Sequence, residues 1–262
     1  MIGKEHQRLE RIRIMYRPRE PVLPPQVEEY LEHLARGGGE RPKPEAFASV
    51  YGDAAVRRDN EWVLRQREKH ATDIEENEWN EVLECLLSDV AHQGVFGDSV
   101  NASRTSEFDD YAHHGDLVFE KNGAKILIDA TTTERRDVLA EKLSHGSEEA
   151  KRGDLARLKY FGNPKELNPK EGYGPLPRVI LRVGMKEIAE VVTILQKVQN
   201  GEVPQVTLKD QPLWERLKNA IRDQLAELER LLPEKPTLGM SSKRLYEAKK
   251  AIEDARREFA LS

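Results

Sequence analysis

Cysteine is nearly absent from this 262-residue chain, and the one present, Cys85, allows neither an intramolecular disulfide nor a multi-cysteine metal site. It is expected to be a small buried residue. Aromatic residues are scarce at 6%, while charged residues make up 34% and hydrophobic ones 38%. Such a balance suits a modest core beneath long polar helices. No run approaches the ~20 apolar residues that a membrane span requires. The opening MIGKEHQRLERIRIMYRPRE likewise has no apolar leader core, so a cytoplasmic protein that engages no membrane is expected. Positive charge is not in excess either. A net charge of −5 argues against coating nucleic acid by bulk electrostatics, which needs clustered Lys and Arg to neutralise phosphates. An enzyme with a local basic groove stays open. Lys151, Arg152, Arg157 and Lys159, with Lys165 and Lys170 further on, are candidates for it, or else a solvated face.

Residues 109–142, DDYAHHGDLVFEKNGAKILIDATTTERRDVLAEK, organise the rest. Asn122-Gly123 is the preferred pair for a two-residue turn with positive φ at both positions, and DLVFEK and AKILID on either side have strand composition. With that turn, Lys121 faces Ala124, Glu120 faces Lys125, Val118 faces Leu127 and Asp116 faces Asp129. Leu117, Phe119, Ile126 and Ile128 then line the opposite face. Two aspartates opposed across a hairpin repel one another. A hard divalent cation held between them reverses the sign. The plain alternative is a pair of strand-end acids pointing into water. Asp109 and Asp110 stand just before the hairpin, and either can serve the same cation from outside. His113 and His114 are weaker candidates, since neighbours on an extended chain point to opposite faces.

Ahead of the hairpin, Thr72-x-x-Glu75 has the form of a capping box, followed by Trp79, Val82, Leu83, Leu86, Leu87 and Val90 at helical spacing. Glu75 and Glu76 fall close to that stripe in the first turn, with Glu78 and Glu84 on its flanks. Capping accounts for Glu75; Glu76 has no such local role beyond the favour of the helix dipole. After the hairpin, ERRDVLAEKLSHG reads as a helix with Val138, Leu139 and Leu143 on its buried side and Gly146 as its end. Lys142 projects from the edge of that stripe, within reach of the acids or else with its stem lying over apolar surface. Residues 147–177 read as a long loop or insertion, 178–183 as a buried strand and 185–198 as a helix.

Three regions follow: a proline-rich N-terminal arm over 1–45 with a short helix at Val27–Arg36, an α/β core over 46–200, and a C-terminal helical hairpin over 205–262. In the last, Trp214, Leu217, Ile221, Leu225, Leu228 and Leu231 repeat at three- and four-residue steps, as do Leu245, Ala248, Ile252, Ala255 and Phe259. The order helix, hairpin, helix, strand, helix predicts an α/β fold with a small mixed sheet flanked by helices.

With GDLVFE and ILIDAT placed after an acidic helix, residues 70–198 resemble the PD-(D/E)XK nuclease superfamily. The resemblance implies a restriction-endonuclease-like core and hydrolysis of phosphodiester bonds in DNA or RNA, with Mg²⁺ or Mn²⁺ held by Asp116, Asp129 and Glu76 or Glu78. Where the family carries a lysine two residues after the second acid, this chain has Thr131. Some members, viral cap-snatching endonucleases among them, place the lysine on the following helix, and Lys142 is the residue that fills that role here. The alternative is a catalytically silent relative acting as an interaction or assembly module. The C-terminal helices are then its business, with a homo-oligomer as one outcome.

Overall fold

The structure is a computed structural model that describes residues 24–25, 27, 29–30, 41–70 and 74–259, without the side chains of 70 and 74–78. Most of the N-terminal arm, the expected helix Val27–Arg36 and the capping box at Thr72 therefore lie outside the described residues.

Chain order after a 3-10 turn at Pro44–Phe47 is α1 (Ala48–Tyr51), α2 (Asp53–His70), α3 (Ile74–His92), β1 (Asn101–Arg104), α4 (Glu107–His113), β2 (Leu117–Lys121), β3 (Ala124–Thr131) and α5 (Arg136–Arg152). Then come β4 (Ala156–Leu158), β5 (Tyr173–Leu176), β6 (Arg178–Arg182), α6 (Met185–Gln199), α7 (Val206–Lys209), α8 (Pro212–Leu231) and α9 (Ser242–Phe259). The main sheet has the order β1-β2-β3-β6, antiparallel except for the parallel β3–β6 pair, and β4–β5 form a separate ribbon. The chain is thus a mixed α/β protein with a four-stranded mixed sheet flanked by helices and two long helices at its C-terminal end.

The hairpin register is the one the Asn-Gly turn dictates. Leu117 pairs Ile128, Val118 pairs Leu127 and Lys121 pairs Ala124, with Asn122 at φ 50° and Gly123 at φ 83°. Alternation along the strands then divides two cores. Leu117, Phe119, Ile126 and Ile128 join the main core with the stripe of α3, while Val118 and Leu127 pack with Ala156, Leu158, Phe161 and Leu176 of the ribbon side. Gly115 admits the chain to this second face: a Cβ there would lie 2.4 Å from the Leu127 side chain, so no other residue fits without movement.

Trp214, Leu217, Ile221 and Leu225 of α8 and Ala248, Ile252 and Ala255 of α9 are buried in the main core, against the sheet. Gln224 on α8 finishes the open edge of β6: its Oε1 accepts from Ile180 N at 2.9 Å and its Nε2 donates to Ile180 O at 2.8 Å. An unpaired strand edge is thereby covered. The stripes that suggested an assembly surface are spent within the chain. Cys85 is buried, and burial pushes its thiol up to about 11, as befits an inert structural cysteine. Among the described residues no helix is long and apolar enough to cross a membrane.

Four expectations need correcting. α5 does not stop at Gly146, which is buried in mid-helix beside Arg178; it runs on to Gly153, whose φ of 58° supplies the left-handed cap. Leu143 is exposed rather than part of a buried stripe. The stretch 147–177, expected as a long loop or insertion, holds the end of α5 and the ribbon strands β4 and β5, and before the hairpin stands helix α4, for which no element was expected, with Ser106 at its N-cap accepting from Asp109 N at 3.0 Å.

Candidate metal centre

The open end of the hairpin lies at the floor of a cleft of about 780 Å³ lined by Asp116, Asp129, Thr131 and Lys142, together with Glu84 of α3 and Asp110 of α4. Both hairpin aspartates are buried, so the reading of strand-end acids in water does not hold. Asp116, just before β2, accepts a 2.6 Å hydrogen bond at Oδ2 from the backbone of Ala130, which ties the first acid to the strand of the second. Asp129 accepts at Oδ1 from Lys142 Nζ at 2.6 Å. Its Oδ2 is buried and accepts no hydrogen bond among the described residues. A buried carboxylate oxygen left unpaired costs on the order of 1–3 kcal/mol unless something else occupies the vacancy.

Glu84, Asp110 and Asp116 each present an oxygen such that all three lie within 4.8 Å of one another. Glu84 is also gripped from behind by Arg104 of β1, whose Nη2 donates to its Oε2 at 2.8 Å. Arg41 donates from Nη2 to the same Oε2 at 2.6 Å and from Nη1 to Asp110 Oδ2 at 2.9 Å. Burial, followed by the charges of Glu84, Asp110 and Asp129, holds the Asp116 carboxyl well above its ordinary range. Glu84 is pushed up to about 7, chiefly by burial, with Arg41 pulling it back and Asp110 adding to the rise. Asp129 is raised by burial against the pull of Lys142. Burial opposes the Lys142 ammonium, yet Asp129, Asp116 and Asp110 keep it above the usual lysine value. These are carboxylates packed closer than their own repulsion favours.

An all-oxygen donor set of this kind suits a hard divalent ion such as Mg²⁺ or Mn²⁺ rather than zinc. The open oxygen of Asp129 in the same cleft strengthens that fit. Asp116, Asp129, Lys142, Asp110 and Thr131 thus meet, as the sequence suggested. Asp109, its companion candidate, does not join them: it is buried behind α4, bonded to Ser106 Oγ and to the backbone N–H groups of Lys159 and Tyr160. Among the described residues, the α3 acids that line the cleft are Glu81 and Glu84, the latter about two turns beyond Glu76. The side chains of Glu76 and Glu78 lie outside the described residues. Glu84 was hard to find because it sits off the main apolar stripe of α3; it is buried by Arg104 and Arg41, which arrive from distant parts of the chain.

His114 lines the cleft with its imidazole held below the ordinary value, first by burial and then by Arg178, while His113 donates nothing to it and offers its backbone oxygen to Arg178. Thr131 is buried, and its hydroxyl accepts from Thr133 N at 3.3 Å. Thr132 ties the strand end to α3 by donating from N and Oγ1 to Asn80 Oδ1, each at 2.8 Å. The basic segments proposed for a groove lie elsewhere. Lys159 pairs with Asp59 and Arg157 with Glu247, while the cations around the cleft are Arg41, Arg67, Arg135 and Lys142.

No protein-family model, curated protein or solved structure matches the chain.

Proposed function

We propose that the cleft hydrolyses phosphodiester bonds of DNA or RNA with the help of Mg²⁺ or Mn²⁺. The observation that carries this is one cleft holding the Glu84, Asp110 and Asp116 oxygens together with Asp129, whose Oδ2 is buried and, among the described residues, unpaired. A divalent ion there would lower the pKa of water and offset charge on the phosphate. Asp116 and Asp129 would hold it, aided by Glu84 and Asp110. Lys142 keeps an ammonium at the edge of Asp129, where it can stabilise charge that develops on a phosphoryl oxygen. Its position supports the reading of a lysine supplied by the following helix in place of Thr131. Arg67 and Arg135 at the cleft give a polyanion partners that the net charge of −5 alone would not suggest. The test is nucleotide release from plasmid, linear DNA and RNA with Mg²⁺ or Mn²⁺, compared with Asp129→Ala. Activity is expected in the parent chain and lost in the variant; equal activity in both would end this reading. A silent assembly module draws no support from α8 and α9, whose apolar stripes are buried.

A further inference from the structure

Among the described residues, Arg41 is the one cation of the cleft seated on the carboxylate cluster from outside the sheet and its flanking helices. It precedes the 3-10 turn and is followed by Pro42 and Pro44, neither of which has a backbone N–H to donate. The chain downstream is anchored: Phe47 is buried with its ring 5.6 Å from that of Tyr160, and Tyr51 Oη donates to Lys159 O at 2.9 Å. The Arg41 side chain retains 23% exposure, against 7% for Arg104 on the other side of Glu84. Arg104 is thus built into the strand wall, and Arg41 is seated from the mouth.

We propose that Arg41 is a resident counter-ion of the metal centre, holding the place that a divalent cation must take and thereby setting the metal concentration at which the site fills. This rests on the divalent-metal reading of the cleft. The guanidinium bridges Glu84 Oε2 and Asp110 Oδ2, two residues of the very cluster whose oxygens lie close enough to share an ion. A metal at those carboxylates competes with the guanidinium for their lone pairs, and at that distance the two positive charges repel. Charge balance favours the exchange. Five carboxylates (Glu81, Glu84, Asp110, Asp116, Asp129) face three cations (Arg41, Arg104, Lys142), so replacing one guanidinium by a divalent ion brings the set closer to neutrality. Without either, the carboxylates are left to repel one another.

Calorimetric titration of the metal-free full chain with Mn²⁺ tests this, using the parent, Arg41→Ala, Arg41→Gln and Arg41→Lys, with Asp116→Asn as the site control. Loss of a competing charge-assisted pair predicts about tenfold tighter Mn²⁺ binding in Arg41→Ala and Arg41→Gln, and near-parental binding in Arg41→Lys. A purely structural arginine would give the opposite sign, since a disordered site binds metal less well. Arg41→Gln keeps amide donors at the position and serves if Arg41→Ala fails to fold. Equal or weaker binding in the glutamine variant, with Mn²⁺ still lost in Asp116→Asn, would overturn the role of Arg41 and leave the metal centre standing. No Mn²⁺ binding by any chain at millimolar concentration would overturn both.

Discussion

Asp109 and Asp110 are neighbours on one short helix, yet one is a buried structural acid and the other a half-buried acid of the cleft. Asp109 has its oxygens accounted for by Ser106 Oγ, Lys159 N at 2.6 Å and Tyr160 N at 2.8 Å, and it fastens α4 to the end of β4. Asp110 lines a cleft shared with Glu84, Asp116 and Asp129, where among the described residues one oxygen of Asp129 has no partner. Around Asp109 every donor meets its acceptor, so that acid stabilises the fold. The cleft acids are held against their own repulsion, and only a cation relieves it. Burial and hydrogen-bond satisfaction go together at Asp109 and part at the cleft.

The contrast is sharpest for stability. Asp109→Ala leaves two buried backbone N–H groups unpaired and disturbs the start of α4, so it should cost about 3–5 kcal/mol in urea unfolding. Added Mn²⁺ should not restore more than the parent chain itself gains. Lys142→Met removes the one partner of Asp129 Oδ1 and should cost about 2 kcal/mol in the metal-free protein, less than a fully buried pair because the lysine is 30% exposed. Here Mn²⁺ should recover much of the loss, since a ligand that binds the folded state stabilises it. Failure of Mn²⁺ to distinguish the two variants would erase the difference between the two acids.

Asp116→Asn should behave in the reverse sense: removing one charge from the cluster is expected to raise metal-free stability by about 1 kcal/mol while abolishing Mn²⁺-dependent hydrolysis. Thermal unfolding and nucleotide release on the same preparation measure both. The smallest effect is on pH. Glu84 is raised from 4.5 to about 7, so the folded chain holds this proton more tightly than the unfolded chain. Its stabilising contribution is full below the unfolded pKa and is lost as pH rises through the folded one. Metal-free stability should therefore fall between pH 5 and 7 on this account, with Glu84→Gln flattening the slope, and Mn²⁺ should bind more tightly as pH rises. A slope unchanged in Glu84→Gln would place the titrating group elsewhere.

Local chemistry made much of the frame legible. Asn122-Gly123 set the register, and alternation about it predicted which hairpin residues share a face. The spacing in 185–198 and in the C-terminal segments marked α6, α8 and α9 within a residue or a few. Arithmetic on the turn brought Asp116 and Asp129 to one end of the hairpin, and helical phase placed Lys142 within reach. α4 was missed because seven residues with three acids lack an apolar period, and its stability comes from Ser106 and Asp109. Gly146 misled because a buried glycine packed beside Arg178 looks in one dimension like a stop.

By itself, then, the sequence determined the hairpin, its register, the pairing of two aspartates and the apolar stripes, because turns and periodicity are properties of neighbours in the chain. Tertiary structure alone decided that Glu84 reaches the cleft, that Asp109 and Asp110 part company, that the C-terminal stripes close over the sheet, and that Arg41 sits among the acids. Each of these depends on groups far apart in sequence meeting where water is excluded. There, the unpaired oxygen or the borrowed cation carries an energy that no local pattern encodes.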